Sequence, residues 1–186
     1  MSKAEIIIGQ VLSFTTSPFE APIKEAARIY DAVLVRDGKV EAVGGQAEIR
    51  ARAPDAVLTD CGQYLISAGF VDAHVHYPQT AIIASWGKRL IDWLESYTFP
   101  EEIKCADPGF ARRTAERYFD LTLAYGTTTV ASFCTSDPTS VDAFFQAAIA
   151  RGVRAIAGKT CMDRNAPAAL CDTPQRAYDE SKALIE

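Results

Sequence analysis

The sequence predicts an α/β fold in two parts: a small β-rich domain over residues 1–67, then alternating strands and helices over residues 68–186. Three observations predict it. Short apolar segments separated by turn residues fill the first part. From about Ser67 onward, β-branched segments alternate with helical patterns. Those helices share their boundary signals, a capping residue followed by proline at the start and, in two of them, glycine at the end.

A hairpin is the strongest local prediction in the first part. Asp37-Gly38 separates two apolar runs, and both turn residues tolerate positive φ. Ser17–Pro22 is predicted as a loop and Ala47–Arg52 as a short helix. The predicted strands are Ile6–Ile8, Ile29–Arg36, Val40–Val43 and Ala56–Asp60.

The second part is predicted as β-α-β-α-β-α, which implies a parallel sheet with helices outside it. Its predicted strands are Phe70–His76, Thr127–Thr135 and Val153–Thr160. A helical spacing covers Lys88–Tyr97, and the later helices run from Asp107-Pro108 to Gly126, from Asp137-Pro138 to Gly152, and from Thr173-Pro174 to Glu186. Three such units are too few to close an eight-stranded barrel. If the fold is a (β/α) barrel, the sequence is the opening part of a longer protein.

The composition excludes several classes of protein. The chain has 186 residues, 48% hydrophobic and 23% charged, as in globular rather than disordered proteins. A formal net charge of −5 disfavours nucleic acid and anionic membranes as partners. No apolar run approaches the roughly 18–20 residues that cross a bilayer, and the acidic start is too short for a secretory signal. We therefore expect a soluble, cytoplasmic protein.

The five cysteines are too widely spaced for a metal-binding knuckle and odd in number. No Cys-x-x-Cys occurs, which argues against both a zinc knuckle and a disulfide framework. We expect buried, reduced thiols.

The only two histidines lie two residues apart, at His74 and His76. Alternation along a strand places both imidazoles on one face, and Pro78 ends that strand. The pair would then lie at the carboxyl end of the strand, where parallel barrels place their chemistry. Two imidazoles suit zinc, iron, nickel or copper but do not complete a site, which normally needs a third protein ligand. Asp72 has the same parity and is a candidate supporting partner.

The residues around this pair carry a family resemblance. Gly69–His76 resembles the first-strand signature of the amidohydrolase superfamily, whose members bind one or two metal ions in a (β/α)8 barrel. Further blocks, in the same order, resemble the guanine deaminase family: His76–Gln79, Leu90–Leu94 with Tyr97–Glu101, Gly126–Thr129, and Gly158-Lys159 with Met162–Asn165. The resemblance implies an incomplete TIM-type barrel over residues 68–186, preceded by part of a small β-sandwich-like domain over residues 1–67.

The resemblance also implies an activity, hydrolytic deamination of guanine to xanthine and ammonia in purine catabolism or salvage. It implies zinc, with iron(II) as the alternative, held by His74 and His76. No catalytic residue is expected within this chain, because the remaining ligands and a proton-shuttling glutamate would lie beyond Glu186. His76, Tyr77, Pro78 and Gln79 would contact the purine, with Gln79 holding the base through its amide. Family members commonly form homodimers.

Several alternatives stay open on the sequence. The substrate of a related aminohydrolase could be another purine, a pyrimidine or a triazine, and the chain could instead be a non-catalytic metal-binding module or a structural fragment. Gln79 could lie in a surface loop. The loop Asp163-Arg164-Asn165 could line the pocket mouth or be solvated. Trp86 and Trp93 could stack on a base, although Trp93 has the spacing of a packing residue, and Lys159 is expected to be structural.

Overall fold

A computed structural model describes residues 3–87 and 89–186 of the chain. The chain divides into two compact units, residues 1–68 and 69–186. Lys88, the first residue of one predicted helix, lies outside the described residues. Among the helices of the described residues, none is long and apolar enough to cross a membrane.

The first unit contains one four-stranded mixed sheet in the order β3-β2-β1-β4. The β1–β2 and β2–β3 pairs are antiparallel, and β1 and β4 are parallel. The strands are β1 (Ala4–Phe14), β2 (Ala27–Arg36), β3 (Lys39–Gly44) and β4 (Val57–Ile66), and the helices are α1 (Ile23–Ala26) and α2 (Gln46–Arg52).

The predicted hairpin is confirmed. Asp37 and Gly38 have φ values of 50° and 77°, and Arg36 pairs with Lys39 across the turn. Two successive residues with positive φ match the right-handed twist of the flanking strands, which is why Asp-Gly is favoured here.

A small core lies between this sheet and α2. Its buried members are Ile6, Ala32, Leu34, Ile49 and Ala53. In residues 3–68 we find a single sheet rather than two facing sheets, so the helix takes the place of the second layer that a sandwich would require.

The second unit contains a three-stranded parallel sheet in the order β5-β6-β7. The strands are β5 (Phe70–His76), β6 (Thr127–Phe133) and β7 (Arg154–Gly158). The helices are α3 (Leu90–Trp93), α4 (Phe99–Ile103), α5 (Pro108–Ala124), α6 (Pro138–Arg151) and α7 (Pro174–Ala183). Short 3-10 helices occupy Tyr77–Ile82, Lys104–Ala106 and Ala168–Leu170, and a π-helical turn occupies Leu94–Thr98.

The predicted helix starts are confirmed by their caps. Asp107 accepts a hydrogen bond from the N–H of Phe110 at 2.6 Å, and Asp137 accepts one from Thr139 at 2.9 Å. The Thr173 hydroxyl accepts one from Arg176 at 3.2 Å. Each cap satisfies a backbone donor that the first helical turn leaves free.

The main core packs one face of this sheet against α5 and α6. Its largest fully buried members are Tyr77, Phe119, Phe144 and Val130, and Val75 and Ala157 pack against them from the strands. The opposite face carries His74, His76 and Phe133 and is more exposed. The helices therefore cover one face of the sheet and leave the histidine face open.

Two expectations need correction. The helix predicted over Lys88–Tyr97 is interrupted, because the regular helix of α3 gives way to the π-helical turn at Leu94. The cysteines are not uniformly buried: Cys105 and Cys134 are, but Cys161 is exposed, because it follows β7 in a loop.

Candidate metal centre

His74 and His76 lie side by side at the carboxyl end of β5, as the alternation of the strand predicts. Their ring centroids are 5.5 Å apart with an interplanar angle of 61°. His74 is exposed and His76 is half-buried. The backbone N–H of His74 donates to Oδ1 of Asp72 at 3.2 Å, so Asp72 supports the strand beside the pair.

Phe133 is a neighbour of both imidazoles that sequence reasoning missed. It ends β6, pairs in register with His76, and stacks on that imidazole with centroids 4.9 Å apart and planes 19° apart. Its ring is also 5.3 Å from that of His74. The available signal was its position at the end of the adjacent parallel strand, because those ends share one edge of the sheet.

The electrostatics of His76 favour the form of imidazole that binds metals. Burial lowers the pKa of His76, and the neighbouring His74 lowers it further. A neutral imidazole keeps a lone pair on one ring nitrogen, which a metal ligand requires. Within residues 3–87 and 89–186, no group of three or more His, Cys, Asp or Glu side chains is placed to hold an ion. The described residues therefore place two imidazoles side by side, with no third side chain of these types grouped with them.

A cavity of about 320 Å³, called the histidine cavity below, adjoins the pair and is lined by His74, His76, Gln79, Trp93 and Tyr118, among others. A second, of about 340 Å³, lies against His74, Phe133 and Lys159. The histidines thus border open space. A larger cavity, of about 610 Å³, is lined by residues including Ile91, Phe99 and Asn165, and contains neither histidine.

Gln79 lies in the 3-10 helix that follows β5 and reaches the same cavity as the histidines. Its Nε2 donates to Oε1 of Glu102, a buried residue of α4, at 2.9 Å. Burial raises the pKa of the Glu102 carboxyl, and the hydrogen bond from Gln79 partly offsets that effect. Gln79 is therefore held by a partner rather than free in a surface loop.

Tyr77 and Pro78, predicted to contact the purine, are placed in the core instead. Both are buried, and neither lines the cavity beside the histidines. The Tyr77 hydroxyl donates to the carbonyl of Ser140 at 2.7 Å, and burial raises its pKa well above the usual range. Because His76 is still extended and successive side chains of a strand point to opposite faces, the Tyr77 side chain joins the helix-covered side of the sheet.

The other residues that the sequence offered as candidates do not share one location in the structure. The Trp93 indole donates to the carbonyl of Ser85 at 3.1 Å and lines the histidine cavity, whereas Trp86 is 71% exposed. Asp163 and Arg164 are exposed, and Asn165 borders only the larger cavity. The Lys159 amine pairs with Asp172 and Glu180, which supports the structural role expected of it.

The chain matches two family models. Residues 65–186 match the amidohydrolase family, and residues 32–56 match the imidazolonepropionase-like composite domain of bacteria. Guanine deaminase from Escherichia coli (strain K12) is 43% identical over 155 residues, which is 83% of this chain and 35% of that protein.

Solved structures of guanine deaminases are also similar to this chain. The crystal structure of guanine deaminase from Bradyrhizobium japonicum matches with a TM-score of 0.90 at 38% identity, covering 98% of this chain and 40% of that one. Guanine deaminase from C. acetobutylicum, with bound guanine in its active site, matches with a TM-score of 0.83 at 27% identity, covering 98% and 42%. The chain spans about a third of the length of the curated relatives it matches. Because the family model covers more than half of the chain, the chain belongs to the amidohydrolase family.

Proposed function

We propose that the protein carrying this chain is a guanine deaminase, which hydrolyses guanine to xanthine and ammonia. The observation that carries the proposal is the His74–His76 pair, open to a cavity that Gln79 also lines. The similarity to guanine deaminases along most of the chain supports guanine rather than another base.

His74 and His76 would hold a zinc ion, with iron(II) as the alternative. Two adjacent imidazoles bordering open space suit either metal. When bound, the metal would lower the pKa of a water molecule and make hydroxide available near neutral pH. The proposal places the remaining ligands and a proton-shuttling glutamate outside these 186 residues, since the described residues add no third ligand beside the pair.

The chain's own residues would position ligand and substrate. The Phe133 ring packs on His76 and restrains the orientation of that imidazole. Gln79 would hold the flat base by hydrogen bonding, and Trp93 would form part of the wall of the cavity. Tyr77 and Pro78 would act only by fixing the turn that carries Gln79.

Such an enzyme would combine a (β/α)8 barrel with a small β-rich domain. Residues 68–186 would be the first β/α units of a (β/α)8 barrel, which the parallel order β5-β6-β7 with helices on one face supports. Residues 1–67 would contribute to a small β-rich domain. A homodimer and a cytoplasmic location are proposed on the family resemblance alone.

Turnover of a panel of bases by the full-length protein tests the activity. Guanine, adenine, cytosine and an amino-triazine would be incubated with the zinc-loaded protein, and ammonia and the deaminated base measured. We expect xanthine from guanine, with kcat/KM at least about 100-fold above the other substrates, because a site built on fixed polar partners rejects bases that lack them. Preference for another base would reassign the substrate, and no turnover of any base would reject the proposal.

A further inference from the structure

The contact between Gln79 and Glu102 joins an accessible amide to a buried acid. Glu102 is only 6% exposed, and its Oε1 accepts from Nε2 of Gln79 at 2.9 Å. A buried carboxylate is costly unless it is hydrogen-bonded, so this contact is favoured on both sides. The adjacent Glu101 is equally buried, at 7%, but pairs with Lys104 at 2.5 Å. Only one of the two neighbouring acids therefore faces the candidate site.

The chemistry of the acid dictates how the amide is oriented. A carboxylate only accepts hydrogen bonds, whereas a primary amide has a donating and an accepting end. Glu102 must therefore face Nε2 of Gln79, which directs Oε1 away from the acid. In the part of the chain that the structure describes, Oε1 receives no hydrogen bond. Because Gln79 lines the histidine cavity, this oxygen is the acceptor that the chain offers to a ligand there.

We propose that Glu102 is a positioning residue, which fixes the polarity of the Gln79 amide so that its carbonyl oxygen meets an N–H donor of the base. This inference rests on the proposed function and adds the determinant of its selectivity. Guanine carries an N1–H beside its amino group, whereas 2-aminopurine keeps the amino group but has an acceptor at N1. An amide of fixed polarity discriminates between these bases, and one that can rotate does not.

The variants Glu102→Gln and Glu102→Ala test the role in the full-length protein, with Glu101→Gln as a matched control on the same helix. The measurements are kcat/KM for guanine and the inhibition constant of 2-aminopurine. Glutamine at position 102 keeps a hydrogen bond but permits both orientations of the Gln79 amide. We expect the preference for guanine over 2-aminopurine to fall about tenfold in Glu102→Gln and further in Glu102→Ala. A change of about tenfold is what the loss of about one oriented hydrogen bond would produce. Glu101→Gln should change it less than twofold.

A crystal structure of Glu102→Ala gives a readout that does not depend on turnover. The Gln79 amide should rotate or leave the position that it holds in the native chain. An unchanged amide, or an unchanged preference in both Glu102 variants, would overturn the positioning role. If the unmodified protein fails to act on guanine, the proposed function is rejected, and the position of Gln79 in the variant structure still decides the role of Glu102. Thermal melting of each variant separates loss of fold from loss of selectivity.

Discussion

Lys159 and Asp172 form an ion pair that is almost completely shielded from water. Their Nζ and Oδ2 atoms are 3.1 Å apart, and the two side chains are 1% and 3% exposed. Glu180 of α7 also pairs with Lys159, and Arg176 lies 3.7 Å from Asp172. Lys159 directly follows β7 and Asp172 lies just before α7, so the network fixes the connection between these two elements.

Replacing Lys159 by methionine should cost about 3 kcal/mol of unfolding free energy, because it leaves the buried Asp172 carboxylate without its nearest cation. Urea titration of the full-length protein measures this loss. The control is Lys182→Met, whose amine lies 3.6 Å from the exposed Glu186 and should contribute less than about 1 kcal/mol. Equal unfolding midpoints for the two variants would show that the network does not stabilise the fold.

Tyr77→Phe should lower stability by about 1 kcal/mol and leave the KM for guanine unchanged. The substitution removes only the buried hydrogen bond to the Ser140 carbonyl, and the Tyr77 side chain does not line the histidine cavity. Chemical denaturation measures the change in stability, and steady-state kinetics measure the KM for guanine. Tyr178→Phe, at a residue 64% exposed, is the control. A raised KM with unaltered stability would return Tyr77 to the substrate contact predicted from the sequence.

Glu102→Gln should stabilise the protein at neutral pH, with a gain that shrinks as the pH falls. Burial is the larger effect and raises the pKa of Glu102, so the folded state binds this proton more tightly than the unfolded state. The charged carboxylate therefore lowers stability above its raised pKa, and that penalty disappears as the group is protonated. Melting temperatures of both proteins from neutral to acidic pH measure the difference. A difference in melting temperature that is independent of pH would contradict a raised pKa for Glu102.

Gly152→Ala should cost about 1 kcal/mol. Gly152 ends α6 with φ of 66°, and a Cβ there would meet no atom within 4 Å, so the cost comes from backbone conformation alone. The control is Gly158→Ala at the end of β7, where space is also open and φ is not in the left-handed region. The denaturation midpoint of Gly152→Ala should lie below that of Gly158→Ala. Overlapping curves would show that the positive φ of Gly152 is not the cause of the cost.

Local signals were sufficient for much of the fold. Phe70–His76 forms a strand with its predicted bounds, because Val75 packs on the core and Pro78 blocks extension. The pairing of His74 with His76 followed from strand alternation alone. By contrast, β4 extends to Ile66, beyond the predicted Asp60, because its pairing with β1 resumes at Leu65 after an irregularity that contains Gly62. A glycine alone could not reveal that pairing.

Long-range contacts account for what the sequence could not predict. The stacking of Phe133 on His76 depends on the register between β5 and β6. The burial of Glu102 depends on Gln79, 23 residues earlier, whereas glutamate is ordinarily exposed. Tyr77 was predicted as a contact of the base because it belongs to the His76–Gln79 block that carries the family resemblance. Its packing against α5 and α6 shows that it is in the core.

The metal content of the full-length protein tests the central claim most directly. Elemental analysis should find zinc or iron bound to the unmodified protein, and His74→Ala and His76→Ala should each lose most of it and lower guanine turnover by at least about 100-fold. Tyr178→Ala, which removes an exposed ring of α7, should retain both metal and turnover. Full metal occupancy and unchanged turnover in the two histidine variants would contradict the account.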